Sequence, residues 1–108
     1  MFGPGKAKLL EGIRATGSVA AAGRRMEMSY KRAWMLVEEM NAAFMAPLVA
    51  SARGGQGGGG AHLTDAGEEV LRLYREVVGL SEKAAAGPLL ALERMLSAEG
   101  KDDRSDGK

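Results

Sequence analysis

From Gly17 to Asn41 the chain reads GSVAAAGRRMEMSYKRAWMLVEEMN, and this stretch decides the fold. Ser18 stands where a helix N-cap is needed, with a hydroxyl able to accept one of the N–H groups that a helix start leaves unpaired. Behind it Val19, Ala22 and Met26 recur at three- and four-residue intervals. The run Ala20-Ala21-Ala22-Gly23 carries no bulky side chain, so another helix can approach closely, while Arg24 and Arg25 point away from that face. Glu27-Met28 make the turn and Ser29 caps the next helix, where Tyr30, Ala33, Trp34, Val37 and Met40 keep the 3.6-residue period and are expected in the core. Lys31, Arg32 and Met35 fall on the other face, with Glu38 and Glu39 one turn later. Two short helices, a tight turn and a basic start to the second helix form the pattern of a helix-turn-helix. Such a recognition helix meets DNA mainly through its N-terminal residues, where free amides and the helix dipole also attract phosphate.

Working outward, Lys6 to Arg14 place Leu9, Leu10 and Ile13 on one helical face, and Thr16-Gly17 end that helix. Downstream, Pro47-Leu48-Val49 reads as a short strand. Ala50 to Ala61 follows as ASARGGQGGGGA with six glycines, and His62-Leu63-Thr64 resumes order. Two extended pieces joined by a glycine-rich loop predict a β-hairpin wing over about residues 50–62. The competing reading, a flexible linker, leaves the preceding helices with nothing to pack on. Thr64 caps a fourth helix, and Asp65 sets a negative charge in its first turn, where the dipole favours it. Val70, Leu71, Leu73, Tyr74, Val77, Val78, Leu80, Ala84 and Ala85 cover more than one narrow face. Gly87-Pro88 are expected to break or bend the helix before Leu89 and Leu92 continue the pattern. The apolar excess, Val70, Leu71, Leu73, Tyr74, Val77, Val78, Leu89 and Leu92, is the candidate dimer interface. The expected fold is mostly α with a small β-hairpin. Residues 1–64 form a winged helix-turn-helix, 65–96 a long dimerisation helix, and 97–108, rich in charge, a disordered polar tail.

Composition narrows the function. A chain of 108 residues has room for one domain with a modest core. Cysteine is absent, which removes disulfides and thiolate metal sites. His62 is the single histidine, so a metal site is not expected there, and a structural or phosphate-facing role is. The seven methionines read as core filler. No apolar run approaches the roughly 18 residues of a membrane span, and MFGPGKAK lacks a secretory apolar stretch, so a cytoplasmic protein without a membrane partner is expected. The glycine run is not followed by Gly-Lys-Ser/Thr and has no βαβ setting, which argues against a nucleotide loop. No nucleophile–base pair can be assembled, and Glu38-Glu39 and Glu68-Glu69 splay as helix neighbours, so an enzyme is not expected. The net charge is only +1, yet residues 1–64 hold eight Lys/Arg against four acids. A basic front half and an acidic back half point to an anionic partner at the front.

The candidate DNA contacts are Ser18, Arg24, Arg25, Ser29, Tyr30, Lys31, Arg32, Arg53, Gln56 and His62. Lys31 and Arg32 follow directly on an N-cap and have two arginines on the preceding helix, which favours DNA over an ordinary solvated face. Tyr30 has two readings, a core ring or a hydroxyl that reaches phosphate. Trp34, in register with Ala33 and Val37, is read as core. Arg53 beside Gly54-Gly55 is read as a phosphate contact.

Gly17-Ser18 with Ala21-Ala22, Met28-Ser29-Tyr30-Lys31-Arg32-Ala33-Trp34, Met40-Asn41, Pro47-Leu48-Val49, Gly57-Gly58-Gly59-Gly60-Ala61 and Leu63-Thr64-Asp65-Ala66-Gly67 stand in one order. Over roughly residues 2–74 this resembles the N-terminal winged helix-turn-helix domain of ModE-type regulators, molybdate-responsive bacterial transcription factors, a module related to the DNA-binding domain of LysR-type regulators. The resemblance implies that Ser29 to Arg32 enter the major groove of double-stranded DNA and that the wing touches its backbone. It also implies that the helix from Asp65 joins a homodimer on a palindromic operator with half-sites ~34 Å apart. The chain departs from the pattern at Glu27, where glycine is usual, at Gln56, where the wing tends to be basic, and at His62, where arginine is common. Molybdate belongs to the family through C-terminal domains outside these residues, so no cofactor is expected in this chain. The rival reading is a winged-helix protein-interaction module without specific DNA binding, consistent with the small net charge and the Gln56 and His62 departures.

Overall fold

Three of the four helices start at a side chain that accepts an orphan N–H. The computed structural model describes residues 2–52 and 60–96, which divide into two units after Tyr74. Helix α1 (Pro4–Thr16) opens with a proline, whose missing N–H would be unpaired in any case. It starts two residues before the expected Lys6. It closes at Gly17, in the left-handed region at φ 72°, whose N–H donates to the Ile13 carbonyl at 2.7 Å. Helix α2 (Val19–Arg25) starts where the Ser18 hydroxyl accepts the Ala21 N–H at 3.0 Å. Helix α3 (Tyr30–Ala43) starts where the Ser29 hydroxyl accepts the Arg32 N–H at 3.1 Å. Helix α4 (Asp65–Arg94) starts where Thr64 Oγ1 accepts the Gly67 N–H at 3.0 Å. All three expected caps are in place.

The core of the first unit gathers Leu9, Leu10 and Ile13 from α1, Val19 and Ala22 from α2, and Ala33, Val37 and Met40 from α3. Leu48, Val49, Ala61, Leu63 and Leu71 close it. Each large side chain of this set contributes about 1.5–3 kcal/mol of burial. The short helices cross closely because small residues meet: a Cβ on Gly23 would come within 2.9 Å of the Ala33 Cβ. Two ion pairs stitch the rim, Lys6–Glu39 at 3.2 Å between α1 and α3, and Arg14–Glu68 at 2.7 Å between α1 and α4.

Strands β1 (Val49–Ala52) and β2 (Gly60–Leu63) form an antiparallel pair with Val49 opposite Leu63 and Ala52 opposite Gly60. The expected strand from Pro47 is corrected. Pro47 and Leu48 form a corner, because their carbonyls accept the Thr64 hydroxyl at 2.6 Å and the Thr64 N–H at 2.9 Å instead of joining a ladder. The pleat buries Ala61 and Leu63 and turns His62 outward. The Ala61 N–H donates to the Gly17 carbonyl at 2.9 Å, which anchors the hairpin to the end of α1.

A second correction concerns the break expected at Gly87-Pro88. The helix continues through them to Arg94; Ala84, whose carbonyl loses the N–H partner that Pro88 cannot supply, is exposed, so water can take that place. In the second unit no described residue is buried, and Val77, Leu80, Leu89, Leu90, Leu92, Met95 and Leu96 are all exposed. Among the described residues no helix is long and apolar enough to cross a membrane. The expected tail at 97–108 lies outside the described residues.

Candidate nucleic-acid interface

The turn between α2 and α3 is built by backbone bonds that fold back on α2: Met26 and Met28 both donate to the Gly23 carbonyl at 3.0 Å, and Glu27 donates to the Arg24 carbonyl at 3.0 Å. Glu27 takes φ 59°, a left-handed conformation in which a side chain costs about 1 kcal/mol or more relative to glycine. The departure from glycine therefore keeps the turn and strains it.

That turn presents the first turn of α3 outward. Lys31, Arg32 and Met35 are exposed, as the helical period requires. Tyr30 is corrected. It is 64% exposed and not core, because the first residue of the helix overhangs the edge of the apolar face. Its ring meets that of Trp34 edge-on, with centroids 6.4 Å apart and planes at 68°. Trp34 is half-buried, and its Nε1–H is buried with no hydrogen-bond partner among the described residues. Tyr30, Lys31, Trp34, Met35 and Glu38 line one shallow open depression. Arg24 and Arg25 are exposed at the end of α2, and these two, with Lys31 and Arg32, form no ion pair among the described residues. His62 is exposed on β2, opposite Ala50. Ser18 and Ser29 use their hydroxyl oxygens as helix caps, and Ser29 is exposed. Arg53 and Gln56 lie outside the described residues.

Two residues that position this surface, Asn41 and Gly67, enter the sequence reading only within the family resemblance, with no structural role assigned. Asn41 Oδ1 accepts the Leu48 N–H at 2.8 Å and the Val49 N–H at 3.1 Å, while Nδ2 donates to the Val49 carbonyl at 3.1 Å. One carboxamide thus ties the last turn of α3 to the first residue of the hairpin. Gly67 lies directly under the Leu48 carbonyl, which a Cβ would overlap. The signal for Asn41 was an amide near a helix end; its partners seven and eight residues on follow from no local pattern.

Of the residues expected to face a second copy, Leu71 is corrected: it is 1% exposed and belongs to the chain's own core, because the first two turns of α4 pack there. Val70 and Tyr74 are half-buried against that core, Tyr74 edge-on to Phe2 at 5.1 Å. Leu73 is exposed in the first unit; in the second, Val77, Leu89 and Leu92 are exposed and Val78 is half-buried. The described residues contain no group of three His, Asp or Glu side chains placed to hold a metal.

Comparison with known proteins agrees with this architecture. The chain is 41% identical over 98 residues to the molybdenum-pterin-binding protein MopB of Rhodobacter capsulatus, covering 91% of this chain and 35% of that protein. It is 41% identical over 81 residues to the transcriptional regulator ModE of Yersinia pestis, covering 75% of this chain and 31% of that one. The chain thus spans about a third of the length of these relatives. Among solved structures it superposes on the DNA-binding domain of CbnR, crystallised with DNA, with a TM-score of 0.61 at 21% identity over 81% of this chain and 94% of that one. The fold is a winged helix-turn-helix with a long C-terminal helix. No protein-family model matches the chain.

Proposed function

We propose, on the premise that the chain is a relative of the ModE-type regulators, that it is the DNA-reading part of a transcriptional regulator. In this reading α3 enters the major groove by its first turn, Lys31 and Arg32 meet base edges or flanking phosphates, and Arg24, Arg25 and His62 hold the backbone to either side. The observation that carries it is the first turn of α3, where exposed cations without ion pairs among the described residues sit on a Ser29-capped start while the opposite face is locked into the core. Two copies join through α4 and read a palindromic operator with half-sites ~34 Å apart. The role is binding, not catalysis. The molybdenum in the relatives' names stays with those proteins, and no cofactor is assigned to these residues.

Operator selection from random duplex DNA, followed by affinity measurement across salt concentration, tests this. Binding is expected to weaken steeply with salt, by a slope of ~0.9 per phosphate neutralised. Lys31→Ala or Arg32→Ala is expected to cost roughly 1–3 kcal/mol and to relax base preference. No salt-sensitive binding to any duplex would leave the protein-interaction module as the better reading.

A further inference from the structure

The outward stripe of α3 is not uniformly polar. Lys31, Met35 and Glu38 follow one another at helical spacing, so they stack along one line of the surface away from Ala33, Val37 and Met40. Met35 stands 46% exposed at the centre of that line, and Tyr30, 64% exposed, flanks it across the same depression. A thioether and a phenol ring thus lie in water beside Lys31 and Arg32. Arg24 and Arg25 are exposed nearby in sequence, at the end of the preceding helix. Exposed cations that form no ion pair among the described residues call for a polyanion as occupant, and a polyanionic duplex satisfies them through phosphate. Phosphate does nothing for Met35. The apolar group that the major groove of a duplex displays is the 5-methyl of thymine.

We propose that Met35, in the depression it shares with Tyr30, is a specificity-determining contact for a thymine 5-methyl group. This rests on the DNA-reading role proposed above and deepens it. Lys31 anchors one turn before the contact and Glu38 lies one turn after it, so the methyl enters between a cation and an acceptor.

The test uses the operator selected for the full chain, with each thymine replaced in turn by deoxyuridine, which removes the methyl and keeps the hydrogen-bonding edge. Wild type is expected to bind at least one substituted duplex about four-fold more weakly, the loss that goes with one apolar carbon. Met35→Ala, an exposed position that leaves the core untouched, is expected to bind the thymine operator more weakly and to lose discrimination at that position, whereas Met35→Leu keeps it. Wild type that binds every deoxyuridine duplex as tightly as the parent overturns the proposal. So does Met35→Ala with wild-type discrimination. In both cases duplex binding itself survives. A chain that binds no duplex overturns the DNA-reading role, and the methyl contact falls with it.

Discussion

Three hydrogen bonds converge on the side chain of Asn41, and both amides it accepts belong to buried residues, Leu48 at 0% and Val49 at 4% exposure. Truncation to alanine strands these donors where water reaches poorly, at about 1–3 kcal/mol for a buried group left without its partner. Asn41→Ala is therefore expected to lower unfolding stability by roughly 2–3 kcal/mol in urea titration, with the denaturant slope unchanged. Asn41→Asp keeps the acceptor and opposes a carboxylate to the Val49 carbonyl, so it is expected to destabilise as well. A loss under about 0.5 kcal/mol for alanine would show the clamp to be incidental. At this scale the sequence was legible where the chemistry is local. Ser18, Ser29 and Thr64 each bond an amide three residues on, a spacing that can be read from the chain. Asn41 reaches seven and eight residues past a turn whose path only the folded core defines. Tyr30 was misplaced for a related reason. Periodicity gives its direction around the helix, but not that the first turn projects beyond its neighbours.

Within α4 two glycines have opposite surroundings. Gly67, in the first turn, has no room for a Cβ because the Leu48 carbonyl occupies that space, and a Cβ at Gly79, farther along, would meet nothing within 4 Å among the described residues. Gly67→Ala is expected to push α4 away from the Pro47-Leu48 corner and to cost about 1–3 kcal/mol, the range for overpacking, despite the better helix propensity of alanine. Gly79→Ala meets no neighbour and is expected to raise stability by up to about 1 kcal/mol from propensity alone. Thermal unfolding of the two variants side by side checks the pair, and equal shifts would contradict the close approach at Gly67. The elements themselves were largely legible, since caps and apolar spacing mark α1 to α4 and the glycine run separates the two strands. What stayed hidden came from tertiary packing. Leu71 looks like its exposed neighbour Leu73 in a list of apolar residues, and only the seating of the first turns of α4 on the core separates them. Pro88 leaves α4 unbroken on an exposed turn, where water can meet the Ala84 carbonyl that the proline leaves without an N–H.

Taken whole, the chain pairs a first unit with a packed core and a second that buries none of its described residues. A lone helix is marginal in water, because nucleation is costly and packing supplies most helical stability. Leu89 and Leu92 lie one turn apart and are 55% and 61% exposed, so two leucines of this unit remain in water unless something covers them. In the proposed regulator a second copy of the same helix does. The wild-type chain is then expected to sediment as a dimer at micromolar concentration, and the double substitution Leu89→Glu with Leu92→Glu as a monomer, because like charges placed in an apolar seam must desolvate without partners. The first unit should be indifferent, since neither residue belongs to its core, and its unfolding transition should keep its midpoint. Operator binding should not be indifferent. Two linked heads gain from the second contact by effective concentration, so the monomer is expected to bind the full palindrome at least about a hundred-fold more weakly than the dimer, and an isolated half-site about equally well. A wild-type monomer, or a charged variant that binds the palindrome at full strength, would separate the reading head from the symmetry proposed for it.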